Sequence, residues 1–208
     1  RICEMNDVSI HEVFTGFKFI GEKIKEFRET GEYNFIFGFE ESIGFLAGTY
    51  ARDKDAVVAS MLVAEMACYY RNRNMNLVQA LQALYEKYGF YREHTTSVQY
   101  EGFDAGERMC ARMDRIREEV PTEIGLPVLR IRDYEKQEIL DRTTGERVST
   151  GMEPSNVLYY ELADRCNLAV RPSGTEPKIK IYVMAQGDSM EKAEANLRCI
   201  EDGIMEML

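Results

Sequence analysis

The chain has 208 residues, 45% of them hydrophobic and 30% charged, and carries a formal net charge of −10 from 26 basic and 36 acidic residues. This length allows one large domain or two small ones, with enough apolar content for a core of normal density. The acidic balance argues against general binding to nucleic acid or to an anionic membrane surface, so an anionic ligand would have to be drawn by a local basic cluster.

The five cysteines, Cys3, Cys68, Cys110, Cys166 and Cys199, are widely spaced and form no CxxC pair. They fit reduced thiols in a cytoplasmic protein and argue against a zinc site. The most apolar run, from Ala56 to Tyr70, contains Glu65 and is too short to span a bilayer. No signal peptide is visible. The chain opens on RICEMND, which reads as mid-domain sequence, so a fragment of a longer protein is expected.

In chain order, Val8, Ile10 and Val13 predict a short strand running into a loop at Thr15-Gly16. Gly21–Arg28 has amphipathic spacing and predicts a short helix, ended by Thr30-Gly31. Tyr33–Phe39 is aromatic and β-rich and predicts a buried strand. Its C-terminal end presents Glu40, Glu41 and Ser42, where open α/β sheets bind ligands. Those groups could accept hydrogen bonds from vicinal sugar hydroxyls, or simply cap a helix from a polar turn.

Asp53 or Asp55 is expected to cap a helix to about Arg71. Val57, Val58, Met61, Leu62, Met66 and Tyr69 would form its buried stripe. A second helix is predicted from Leu77 to Tyr88, with an Asn76/Gln79 capping box and a stop at Gly89. Between Phe90 and Phe103 periodicity weakens, and a polar linker containing a solvated His94 is expected, with the domain boundary between residues 95 and 96. Asp104 and Glu107 resemble a capping box ahead of a helix with Met109, Met113, Ile116 and Val120 on one face. Arg108, Arg112 and Arg115 line another, solvated or paired with acids. Pro127–Arg132, Ile139-Leu140 and Asn156–Leu162 read as strands, with a turn at Thr144-Gly145. Asp188 is expected to cap a last helix, whose seam is Ala193, Leu197, Ile200, Ile204 and Met207.

The stretch from Asn167 to Tyr182, NLAVRPSGTEPKIKIY, is the richest in chemistry. Two strands flank a loop that holds an arginine fork, two hydroxyls, a glycine and two prolines. Arg171 can grip two oxygens of an oxyanion in one plane. Ser173 and Thr175 supply hydroxyls, and Gly174 would let backbone amides approach as a nest. On the outgoing strand Lys178, Lys180 and Tyr182 share one face while Ile179, Ile181 and Val183 share the other. The same residues also suit an ordinary solvated hairpin turn, and both readings stand on the residues alone.

Three motifs stand in one order: TGFK (Thr15–Lys18), GFEES (Gly38–Ser42) followed by RDKD (Arg52–Asp55), and RPSGTEPK (Arg171–Lys178). Together, across essentially the whole chain, they resemble the α-D-phosphohexomutase superfamily, the phosphoglucomutases and phosphomannomutases. The extra phenylalanine in GFEES and the following RDKDA look most like the phosphoglucomutase-2 and phosphopentomutase branch.

This resemblance implies an α/β part followed by an α+β part. Residues 1–95 would be the C-terminal part of a sugar-binding domain 3 with α/β/α layers. Residues 96–208 would be a phosphate-binding domain 4, an antiparallel sheet covered by two helices in a TBP-like arrangement. It implies a cytoplasmic isomerase that interconverts hexose 1- and 6-phosphates through a bisphosphate of the glucose 1,6-bisphosphate type. By motif, Arg171, Ser173, Gly174 and Thr175 would bind phosphate, and Lys180 stands where the family has an arginine. Glu40 and Ser42 would bind sugar hydroxyls, with Thr15, Gly16 and Lys54 nearby. The reacting phosphoserine and the Mg2+ site belong to domains whose TASHNP and DGDxDR patterns do not occur here. No catalytic residue or metal ligand is therefore assigned, and the fragment alone is expected to be inactive. The expected partners are a hexose or pentose phosphate and the N-terminal domains of the same protein, with neither nucleic acid nor membrane. A noncatalytic sugar-phosphate-binding module is the alternative, and a purely structural α+β domain a third.

Overall fold

The structure, a computed structural model, describes residues 1–40 and 43–208. The chain separates into two compact units, Arg1–Leu84 and Tyr85–Leu208.

In the first unit, helix α1 (Phe17–Thr30) starts earlier than expected and ends at Gly31. The left-handed Gly31 (φ 69°) donates its N–H to the Phe27 carbonyl at 2.9 Å, the conformation glycine adopts at lowest cost. Phe17, Ile20 and Ile24 repeat at helical spacing and pack with Leu46 in a small core, joined by Val13, Phe35 and Ala51. Strands β1 (Phe37–Glu40) and β2 (Gly44–Ala47) form an antiparallel two-stranded ribbon. The strand expected from Val8 to Val13 is not formed, since these residues find no backbone partner in a ladder. The strand expected over Tyr33–Phe39 is shorter and shifted, and it is not buried. Phe37 and Phe39 are 47% and 65% exposed, because the described chain supplies no layer over that face.

Helix α2 (Ala56–Arg71) is capped by Asp55, whose carboxylate accepts the N–H groups of Val57 (2.8 Å) and Val58 (3.1 Å). Its expected buried stripe is overturned: no residue of α2 is buried, and Met61 is 65% exposed. The helix is apolar nearly all round, so spacing alone could not choose an inward face. Helix α3 (Leu77–Tyr88) carries the expected capping box, with Asn76 and Gln79 exchanging side-chain-to-backbone bonds of 2.8 and 2.9 Å.

The second unit begins its sheet with β3 (Phe90–Gln99), where the sequence had predicted a linker. The residue 95/96 boundary therefore falls inside a strand that pairs with its neighbour over its full length. The segment is polar because it is an edge strand. Arg92 and Glu93 charge the edge, which guards it against further pairing, while Thr95, Thr96 and Val98 supply β propensity.

Helix α4 (Ala105–Glu119) follows, then β4 (Glu123–Ile124), β5 (Leu126–Asp133), β6 (Glu138–Asp141), β7 (Arg147–Ser149), β8 (Leu158–Leu162), β9 (Asn167–Pro172), β10 (Lys178–Gly187) and α5 (Met190–Met207). The sheet runs β3-β10-β9-β8-β5-β6-β7, with β4 added on β5, and every pairing is antiparallel. One face is the core: Ile179, Ile181, Val183 and Ala185 of β10 alternate inward beside Leu168, Val170, Leu158, Tyr160 and Leu162. Met113 and Ile116 of α4 and Ile200 and Ile204 of α5 cover them. Each such side chain, fully buried, contributes about 1.5–3 kcal/mol of apolar transfer.

Two expected caps are corrected. Asp104 has φ −96° and ψ 8°, off the extended geometry a cap needs, and makes no capping bond; it pairs with Arg108 at 3.2 Å instead. The cap of α5 is Ser189 rather than Asp188, with its hydroxyl accepting the Lys192 N–H at 3.2 Å. Of the arginine stripe, Arg115 pairs with Glu119 at 2.7 Å, and Arg112 donates to the Met207 carbonyl.

Candidate functional site

The residues assigned to phosphate sit together at one end of the β9–β10 hairpin. The ladder places Arg171 directly opposite Lys180, and Ile179 opposite Pro172. Directly opposed residues share a face, so Arg171, Lys178 and Lys180 project to the side away from the buried isoleucines. The loop closes on itself: the Ser173 N–H donates to the Lys178 carbonyl and the Lys178 N–H to the Glu176 carbonyl, each at 2.8 Å. Ser173 is half-buried, whereas Gly174 and Thr175 are exposed. A side chain built on Gly174 would meet nothing within 4 Å, and its φ is not left-handed. The glycine thus leaves open space above the loop rather than relieving strain within it.

The three cations differ in their partners. Lys178 is ion-paired with Glu176, and that pairing holds the Glu176 carboxyl below its ordinary range. Arg171 donates Nε–H and Nη2–H to the Tyr182 hydroxyl at 3.2 and 2.8 Å. Among the described residues neither Arg171 nor Lys180 has a carboxylate within ion-pair distance. Like charges directly across a sheet are unfavourable. Arg171 and Lys180 are nonetheless directly opposed here, one residue pair from the start of the loop that carries Ser173 and Thr175.

The residues assigned to a sugar gather in the first unit. Glu40 ends β1 with a side chain only 9% exposed, and Lys54 Nζ lies 3.8 Å from Glu40 Oε2 and 3.0 Å from Asp53 Oδ1. Those carboxylates favour the charged ammonium, so Lys54 is raised, chiefly by Asp53, and Asp53 is lowered, chiefly by Lys54. The Lys54 ammonium also stands 5.3 Å from the ring centre of Phe17, the first residue of α1. This brings Gly16, which precedes α1 with φ 128°, to the same neighbourhood. Thr15 is exposed one residue earlier. Ser42 and Glu41 lie outside the described residues.

The sequence had not singled out the residue that frames this cluster. A Cβ on Gly44 would fall 2.3 Å from Lys54 Cδ and 3.1 Å from Glu40 Oε2, so glycine is what lets the lysine stem cross β2. The loop after β2 is pinned by the Asp55 N–H, which donates to the Phe45 carbonyl at 2.8 Å, and by the Tyr50 hydroxyl bonded to Asp55. In the second unit, the residue missed was Glu176, which pairs with Lys178; Tyr182, placed on the lysine face by its spacing, is found bonded to Arg171. The i, i+2 spacing in EPK was the available signal for Glu176.

Residues 1–88 match the family model for phosphoglucomutase/phosphomannomutase, alpha/beta/alpha domain III. A phosphoglucomutase of Staphylococcus haemolyticus is 34% identical over 200 residues, covering 95% of this chain and 36% of that protein. A phosphoglucomutase of Staphylococcus aureus (strain USA300) is 37% identical over 185 residues, covering 88% and 33%. The chain belongs to the α-D-phosphohexomutase superfamily. It spans about a third of the length of these curated relatives. The crystal structure of the exocytosis-sensitive phosphoprotein pp63/parafusin (phosphoglucomutase) from Paramecium, in its open form, matches with a TM-score of 0.65 and 17% identity. It covers 99% of this chain and 35% of that one, a likeness of fold. This phosphohexomutase chain therefore carries an α/β domain III followed by an antiparallel C-terminal α+β domain. No helix of the described residues is long and apolar enough to cross a membrane.

Proposed function

We propose that this chain is the substrate-holding part of a sugar-phosphate mutase, in which the RPSGTEP loop grips the phosphate that is not being transferred. The observation that carries this reading is the directly opposed Arg171 and Lys180, neither with a carboxylate within ion-pair distance among the described residues, at the mouth of the loop that carries Ser173 and Thr175. In this reading Arg171 and Lys180 neutralise the dianion, the two hydroxyls donate to its oxygens, and Gly174 leaves room for backbone N–H groups to face it. Glu40 accepts hydrogen bonds from sugar hydroxyls, with Ser42, Thr15, Gly16 and Lys54 completing the contacts. A bisphosphate of the glucose 1,6-bisphosphate type would present a distal phosphate in either orientation, so the same two anchors serve both half-reactions.

Phosphoryl transfer rests on positioning and charge stabilisation, and positioning is the share assigned to these residues. The family's Mg2+ and phosphoserine loops are proposed to belong to other domains, since the TASHNP and DGDxDR patterns do not occur in this sequence. The chain alone is accordingly proposed to bind without turning over. The pentose or hexose identity of the substrate and a cytoplasmic setting belong to the same proposal.

Titration of the 15N-labelled chain with glucose 1-phosphate and glucose 1,6-bisphosphate tests it. Saturable shifts are expected over residues 171–180, with at least a tenfold loss of affinity in Arg171→Ala, the scale for removing a charge-assisted bidentate contact. Glu40→Gln is expected to leave inorganic phosphate binding unchanged and to weaken sugar phosphates. Absence of shifts at millimolar ligand, or an Arg171→Ala variant that binds normally, would overturn the reading.

A further inference from the structure

Arg171 has five N–H donors arranged along the edges of a flat fork. Two of them, Nε–H and one on Nη2, go to a single acceptor, the Tyr182 hydroxyl. These two donors form the side-on edge of the guanidinium. The remaining edge, made by Nη1 and Nη2, carries two parallel N–H groups with no protein acceptor among the described residues, and this is the edge that matches two oxygens of a phosphate. The guanidinium carbon lies 5.5 Å from the centre of the tyrosine ring, so the ring also limits where the fork can swing.

The backbone register makes this arrangement specific. Tyr182 pairs with Ala169, one repeat along the same face from the Arg171–Lys180 pair, so the phenol reaches Arg171 diagonally. The hydroxyl bonds no other protein group among the described residues, and the side chain is half-buried. Packing does not require the oxygen, because the core face of β10 is made by Ile179, Ile181, Val183 and Ala185.

We propose that Tyr182 is a positioning residue of the phosphate site: it occupies the side-on edge of Arg171 and so presents the Nη1/Nη2 fork to the oxyanion. This rests on the reading of RPSGTEP as a phosphate loop. While accepting from Arg171, the phenol keeps its own O–H, which is left to donate to a phosphate oxygen or to water.

The test uses the intact 208-residue chain, inorganic phosphate as probe, and three proteins: wild type, Tyr182→Phe and Arg171→Ala. Phosphate affinity is read by titration. The Arg171 Nε–Hε resonance, identified by its loss in Arg171→Ala, is read without ligand, and a purely structural tyrosine would leave it unmoved. Tyr182→Phe is expected to weaken phosphate about fivefold, the effect of one neutral hydrogen bond. It should also collapse the Arg171 resonance into the solvent-exchanging envelope, with backbone amides of β9 and β10 otherwise unchanged. If Tyr182→Phe keeps both the affinity and the resonance while Arg171→Ala loses binding, Tyr182 has no positioning role and the loop reading survives. If wild type does not bind phosphate, or Arg171→Ala binds as well as wild type, the loop reading falls and this inference with it.

Discussion

Single residues in this chain gain meaning from what faces them. Asp141 shows the point away from the site. Its carboxylate accepts the Thr143 hydroxyl (2.6 Å), Arg130 Nε–H (2.9 Å) and the N–H groups of Thr144 (3.1 Å) and Thr143 (2.9 Å). These donors, led by the Thr143 hydroxyl, hold its carboxyl far below the ordinary aspartate value of 3.8. A carboxyl whose folded pKa is depressed adds stability above its unfolded pKa and loses it as pH falls toward the folded value. The gap in urea midpoint between wild type and Asp141→Asn is therefore expected to be full at pH 7 and to shrink below about pH 3.8. A gap that stayed constant down to pH 2 would remove the carboxylate from the account. The sequence showed the turn here through Thr144-Gly145, but nothing in the spacing told which acid would gather the donors. The same limit applied at the site. Lys178, Lys180 and Tyr182 could be read as sharing one face, whereas the Glu176–Lys178 pair and the Tyr182–Arg171 bonds arise only from the folded loop.

At the level of elements, amphipathic helices were legible and polar edge strands were not. α4 and α5 buried the faces their spacing predicted, with Met113, Ile116, Ile200 and Ile204 wholly enclosed. The polar β3 and the three-residue, fully exposed β7 have no apolar alternation to read. Close approaches between elements were also invisible. Gly203 of α5 lies against the β4–β5 turn, where an added Cβ would fall 2.4 Å from the Gly125 nitrogen and 2.7 Å from the Ile124 carbonyl carbon. Backbone cannot rotate away as a side-chain tip can, so Gly203→Ala is expected to destabilise by about 2–3 kcal/mol. Gly106, in the first turn of α4, has nothing within 4 Å, and Gly106→Ala should be neutral or stabilise by up to about 1 kcal/mol through helix propensity. Chemical denaturation of the two variants compares them directly, and equal effects would show that the close approach does not constrain α5.

For the whole molecule, burial is uneven. The second unit encloses a core drawn from α4, α5 and five strands, whereas the first gathers only Phe17, Ile20, Ile24 and Leu46 into a small buried cluster and leaves α2 without a buried residue. Local opening free energy follows buried contact. Hydrogen exchange on the intact chain is therefore expected to be slowest in β9, β10 and α5, with α2 amides exchanging by local opening well before them. Equal protection of α2 and α5 would contradict this ordering. Overall architecture was the most legible level, because the motifs GFEES and RPSGTEPK fixed the succession of an α/β and an α+β part. The boundary between them was misplaced, because the strand that opens the second part is charged along the sheet's edge.

The edge strand and the proposed phosphate loop depend on the same strand, β10. β10, which carries Lys178, Lys180 and Tyr182, is hydrogen-bonded on one side to β9 and on the other to β3, from the start of the same unit. During synthesis β3 leaves the ribosome long before its partner exists, and pairing so distant in sequence forms slowly. The proposed phosphate loop is thus completed only with the last strand and the helix that follows it. An oxyanion held there would stabilise the finished sheet over every partial one, so ligand and folding would be thermodynamically linked across the entire unit.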